Sequence, residues 1–114
     1  MKEPNCLFCK IITGEIPCTK VYEDERVLGF KDINPSYEVH LLFIHKNHTK
    51  NVNEMVEKEP TQVQDIYFAI YKHTQGTPLE SSGFRVTTNL GPHSGQEVFH
   101  THFHVMGGER LRRL

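Results

Sequence analysis

A chain of 114 residues, 37% hydrophobic and 24% charged, suits one compact soluble domain spanning 1–114. Its net charge of -1 gives no electrostatic reason to expect nucleic acid or an anionic membrane as partner. No run approaches the roughly 20 apolar residues of a membrane-spanning helix. In chain order, Asn5 is the expected cap of a short helix over 6–13, with Leu7, Phe8, Ile11 and Ile12 on its apolar face and Gly14 at its end. Residues 20–22 and 27–31 read as two strands joined by the acidic turn 23–26. Asp32-Ile-Asn-Pro reads as a loop, and 39–44, apolar except for His40, as a buried strand. A polar connection over 46–53 leads into a short helical turn. The long helix is expected over 61–75, because Val63, Ile66, Tyr67, Ile70 and Tyr71 share one helical face and Gly76-Thr-Pro78 stops it. Residues 84–89 read as a strand, 90–96 as a loop and 98–106 as the last strand. Sequential strands with one long inserted helix predict an α+β fold with an antiparallel sheet.

The N-terminal ten residues carry charges and Pro4 and lack the apolar core of a signal peptide, so a cytoplasmic location is expected. The odd, clustered set Cys6, Cys9 and Cys18 is no disulfide framework. A Cys-x-x-Cys pair in a reducing compartment points instead to metal or redox chemistry. Cys18 is expected to be an uninvolved thiol, His73 and His93 to face solvent, and the Arg110, Arg112, Arg113 run to be a solvated tail. His45 reads as a strand-end residue.

The strongest local signal is Phe99-His-Thr-His-Phe-His-Val105. Strand side chains alternate between faces, so His100, His102 and His104 are expected on one face, with Phe99, Thr101, Phe103 and Val105 on the other. Imidazole transfers protons near neutral pH and is also a nucleophile. A three-histidine metal site is the other reading of the spacing, although three rings in a row converge on one ion less easily than two.

The segment resembles the motif of the histidine triad (HIT) family, His-x-His-x-His followed by two apolar residues, here Val105 and Met106. Thr101 stands at a position that is usually apolar, though it still suits a strand. Asn89 and Gly95-Gln-Glu-Val98 resemble the family's phosphate-binding asparagine and Gly-Gln segment. Asp32-Ile-Asn-Pro followed by His40 resembles its ribose-contacting aspartate and additional active-site histidine. Phe8-Cys-Lys-Ile-Ile and Glu15-Ile-Pro resemble its opening helix and turn. The resemblance runs from Cys6 to Gly108 and is closest to the Hint-like purine nucleoside phosphoramidase branch, to which Gly107-Gly108 also fits.

The resemblance implies a HIT-like fold of about five antiparallel strands with one long and one short helix. It implies hydrolysis of adenosine 5′-phosphoramidate-type substrates to AMP through a nucleotidyl-histidine. His102 is then the nucleophile, and His104 the group that holds phosphate oxygens and assists the leaving group. His40 completes the catalytic set. Asn89, Gly95, Gln96, Glu97 and Val98 would surround the phosphate, and Asp32 would accept from ribose hydroxyls. Leu7, Phe8, Ile11, Phe30 and Ile33 would line the base pocket, or form ordinary core. Glu97 stands where many relatives have serine, which bears on leaving-group handling. A subset of HIT proteins binds zinc through this opening Cys-x-x-Cys pair and two histidines. The resemblance therefore assigns Cys6, Cys9, His48 and His100 to a structural zinc, with a redox pair as the alternative. A symmetric homodimer with joined sheets is also implied, the run 67–71 serving either as partner surface or as core. The remaining readings are a dinucleoside polyphosphate hydrolase, a nucleotide-binding regulatory module with weak turnover, and a metallohydrolase using His100, His102 and His104 together.

Overall fold

In a computed structural model, which describes residues 3–114, five strands form one antiparallel sheet. They are β1 (Lys20–Glu23), β2 (Val27–Lys31), β3 (Val39–His45), β4 (Phe84–Thr87) and β5 (His102–Gly107), in the order β1-β2-β3-β5-β4. The fold is α+β, as expected. No helix among the described residues is long and apolar enough to cross a membrane.

The central strand β3 is buried on both faces, which is why its sequence is a continuous apolar run. Its even and odd positions serve two separate cores. Leu41 and Phe43 join Phe103 and Val105 under the long helix α3 (Thr61–Thr74), with Val27, Met55, Ile66, Ala69 and Ile70. Leu42 and Ile44 join Leu28, Phe30, Phe8 and Ile11 under the short helix α1 (Leu7–Thr13). Gly29 is required on the first of these faces: a Cβ there would sit 2.8 Å from the Phe43 ring.

The helix inventory is richer than the expected one long and one short. Helix α2 (Val52–Lys58) is a full element: Asn51 Oδ1 accepts from the Glu54 N–H, and Glu54 Oε1 accepts from the Lys50 N–H. Helix α4 (Pro78–Ser82) begins where a stop was expected, because proline at a first helical position loses no hydrogen bond. At α1 the cap is Cys6, not Asn5; its Sγ accepts from the Cys9 N–H. Gly14, at φ 87°, ends the helix as expected.

Four further expectations are corrected. On α3, Ile66, Ala69 and Ile70 face the core, while Tyr67, Phe68 and Tyr71 are 48–56% exposed. The last strand starts at His102 rather than at 98. Thr101 is drawn out of the ladder: its N–H donates to the Thr49 carbonyl (2.8 Å) and its hydroxyl lies 2.6 Å from that of Thr49. Phe99, expected on the packed face of a strand, precedes it and is 61% exposed. Likewise β4 ends at Thr87 rather than at 89; the next residue, Thr88, donates its hydroxyl to the His102 carbonyl (2.7 Å).

Candidate active site and metal centre

The three closely spaced histidines do not share one site. His102 lies opposite Ile44 and His104 opposite Leu42, so both rings point to the α1 face of the sheet, as the alternation required. His40, opposite Met106, joins them on that face. His100 precedes the strand, and its ring turns toward α1 and the loop after β3.

Around His102 and His104, hydrogen bonds fix which ring nitrogens carry protons. A carbonyl oxygen only accepts, so the 2.8 Å contact from His102 Nδ1 to the His100 carbonyl puts the proton on Nδ1 and the lone pair on Nε2. Burial lowers the His102 pKa and keeps that lone pair in place near neutral pH. At His40, Nδ1 accepts from the Ser36 N–H (2.9 Å), so Nε2 carries the proton. That Nε2–H faces His104 Nδ1 at 2.9 Å, with Asp32 Oδ2 3.5 Å away. His104 therefore accepts at Nδ1 and presents Nε2–H as a donor. Its pKa is pushed down to about 4, first by burial and then by its neighbours His102 and His40, against the opposing pull of Asp32. Both rings are thus neutral, one carrying a nucleophilic lone pair and the other a donor. Their centroids are 5.1 Å apart.

Asp32 divides its carboxylate. Oδ1 closes a turn by accepting from the Asn34 N–H (2.9 Å), while Oδ2 faces His40. Asn89 donates from its amide to the Ser94 carbonyl (2.6 Å) and so braces the following loop. Gln96 is buried, and its side chain is consumed by that loop: Oε1 accepts from Gly91 N–H, and Nε2 donates to the Lys50 and Val98 carbonyls. The backbone N–H groups of Gly95 and Gln96 also turn inward, to Pro92 and Gly91. Glu97 is exposed and Val98 half-buried. Of the apolar candidates, Phe8, Ile11 and Phe30 are buried core, whereas Leu7 (44%) and Ile33 (90%) are exposed. Phe8 also packs edge-on against His102, with centroids 5.1 Å apart.

The second cluster brings together Cys6, Cys9, His48 and His100, whose ligand atoms all lie within 4.8 Å of one another. The Sγ–Nδ1 separations are 3.3 Å (Cys6 to His100), 3.5 Å (Cys9 to His48) and 3.6 Å (Cys9 to His100), and the two Nδ1 atoms are 3.1 Å apart. Zinc–sulfur and zinc–nitrogen bonds of 2.0–2.3 Å in a tetrahedron need ligand–ligand edges of about 3.3–3.8 Å, which these approach. The donor set also fits in its chemistry. His100 Nε2–H donates to the His45 carbonyl (2.9 Å), which reserves Nδ1 as the ligand atom. His48 comes from the connection after β3, and His100 from the segment just before β5 rather than from the strand on which it was expected. Three histidines on one ion, the metallohydrolase arrangement, is not formed, because His100 is turned away from the other two.

Sequence reasoning missed several supports of these sites. Ser36 and His100 act through backbone atoms, which leave no side-chain signature. His45 is more than a strand end: buried, it pairs through Nε2 with Asp65 (3.0 Å), and its carbonyl anchors His100. His73 is half-buried against the Phe43 ring (5.9 Å) rather than facing solvent. His93 is exposed as expected.

Comparison with known proteins agrees with this architecture. The HIT domain family model matches residues 13–111. An uncharacterized HIT-like protein of Helicobacter pylori is 38% identical over 104 residues, covering 91% of this chain and 97% of its own length. Protein HitA of Neisseria gonorrhoeae is 39% identical over 103 residues, covering 90% and 95%. Among solved structures, a HIT family hydrolase from Clostridium thermocellum superposes with a TM-score of 0.90 at 43% identity, covering 99% of this chain and 98% of its own. A histidine triad protein from Clostridium difficile gives 0.91 at 41% identity, covering 100% and 99%. A family match over most of the chain, with two paired histidines on the expected strand, makes this chain a member of the HIT family.

Proposed function

We propose that the protein is a nucleotide-binding hydrolase that cleaves adenosine 5′-phosphoramidate-type substrates to AMP. The observation that carries the reading is the protonation pattern: His102 Nε2 keeps a lone pair while Nδ1–H is held by the His100 carbonyl. Attack of Nε2 on the α-phosphorus forms a P–N bond as the bond to the leaving nitrogen breaks, and that nitrogen departs as the amine with a proton drawn from solvent water. The positive charge that the ring then acquires is stabilised through Nδ1–H by that carbonyl. Water afterwards displaces the imidazole, releasing AMP and restoring the lone pair. His104 Nε2–H donates to a phosphate oxygen, and His40 keeps it in the donor tautomer. Asp32 receives the ribose hydroxyls. Asn89 and Gly95 shape the phosphate loop and Gln96 braces it, so the N–H groups of Glu97 and Val98 are its donors to phosphate. Leu7 and Ile33 form the rim of the base pocket over a floor of Phe8, Ile11 and Phe30. Similarity to a solved HIT family hydrolase supports hydrolysis as the reaction class. Mixing enzyme with a phosphoramidate and quenching early should trap a nucleotidyl adduct on His102, found by mass spectrometry. Turnover with no adduct at any quench time removes the covalent route and leaves weak turnover by a binding module.

Cys6, Cys9, His48 and His100 would hold one structural zinc, which supplies no open coordination position for chemistry. Burial raises the Cys9 thiol pKa, so metal binding must release its proton and weaken as pH falls. Elemental analysis of protein prepared without chelators should give about one zinc per chain. The half-exposed Tyr67, Phe68 and Tyr71 of α3, together with the unpaired edge of β4, support a homodimer. Sedimentation should give twice the chain mass, and Phe68→Glu should halve it.

A further inference from the structure

We infer that the metal cluster sets the orientation of the nucleophile, with His100 as a positioning residue for His102. The inference rests on the metal and nucleophile assignments proposed above. His100 belongs to both constellations. Its Nδ1 faces Cys6, Cys9 and His48, and its Nε2–H is anchored on the His45 carbonyl. Its own carbonyl accepts the His102 Nδ1–H at 2.8 Å. Ring and carbonyl hang from one Cα, so a ring fixed at both nitrogens fixes the peptide that holds the nucleophile.

An independent contact runs the same way. Phe8 lies between the two thiols on the first turn of α1. Its ring meets His100 at 5.9 Å and His102 at 5.1 Å, edge-on in both cases. The cluster therefore pins the helix turn whose phenyl ring backs the nucleophile. The β5 ladder does not perform this task, since it begins at His102; the Thr101 N–H of the same peptide is held by the carbonyl of Thr49, the chain neighbour of His48. Nor does α1 alone, because a helix of seven residues is unstable without tertiary support.

His48 gives the test, because its ring faces the Cys9 thiol (3.5 Å) and His100 (3.1 Å), the metal side of the cluster. His48→Cys should keep a tetrahedral donor set and its zinc, and so recover most of the kcat that His48→Ala loses. His48→Ala should lose zinc, with kcat lowered by roughly 10–100-fold and KM little changed, the signature of a displaced nucleophile. In ¹⁵N-labelled protein the His102 Nδ1–H resonance, identified by its loss in His102→Ala, should vanish when wild type is stripped by a chelator and return with added zinc ion. A folded, zinc-free protein with that resonance and kcat intact overturns the inference. So does global unfolding on stripping, read by circular dichroism, since the cluster then supports the whole fold. Wild type that takes up no zinc defeats the metal assignment itself, a result distinct from zinc that binds without moving His102.

Discussion

The two faces of the sheet, built from the same strands, are put to opposite uses. Under α3, Leu41, Phe43, Phe103 and Val105 sit in a hydrophobic core beneath a helix of 14 residues. On the α1 side, alternate residues of those strands present His40, His102 and His104 beside Leu42 and Ile44, under a helix of seven. A long amphipathic helix seals its face from solvent. A short one leaves part of the other face for a ligand, and three imidazoles take the space that side chains of the core would fill. The lesson is a division of labour: one face carries stability, and the other tolerates polar groups because each is hydrogen-bonded.

That division is breakable by mutation. On the α1 face, His102→Ala should lower turnover by at least about 10³-fold while AMP still binds, since Asp32 and the phosphate loop remain. Isothermal titration with AMP beside a turnover assay measures both. On the α3 face the balance should invert. Phe43 is fully buried, and Phe43→Ala should cost roughly 3–5 kcal/mol in urea unfolding. While the mutant stays folded, KM and kcat should hold near wild type. A Phe43→Ala enzyme that is stable but slow would show that the faces are not separate.

A smaller effect separates the faces by pH. His104 titrates at about 4 in the folded protein against 6.5 for the ordinary side chain. Between these values the unfolded chain binds a proton there that the native protein refuses. Stability is therefore whole above pH 6.5 and falls as pH drops toward 4. His104→Asn, which cannot titrate, should lose less between pH 7 and pH 5, by about 1 kcal/mol once solvent screening is allowed for. Urea midpoints of the two proteins at both pH values check this. An identical slope in wild type and mutant would place the acid sensitivity elsewhere.

The smallest effect is expected at Glu97, whose side chain is exposed and so is free to turn from a phosphate that it would repel. Glu97→Ser should keep nucleotide affinity and leave turnover equal or faster, because the hydroxyl can donate to the leaving group. If Glu97→Gln instead slows turnover by about 10²-fold at unchanged AMP affinity, the carboxyl is the general acid and belongs to the catalytic set.

Much of this molecule was legible in its residues. Alternation in β5 put His102 and His104 on one face, and the Cys6–Cys9 spacing put two thiols on one helical turn, because strand and helix periods are local properties of the backbone. The apolar run of β3 announced a central strand for the same reason. What local periods could not reach was decided by contacts between distant segments. Thr49 draws Thr101 out of the ladder and so separates His100 from the other two histidines. The Ser36 N–H and the His100 carbonyl choose the tautomers of His40 and His102, and the carbonyl of His45 aims His100 at the thiols. These contacts use main-chain groups that every residue type shares, so the side-chain sequence carries no mark of them. Only the folded backbone brings such groups within hydrogen-bonding distance.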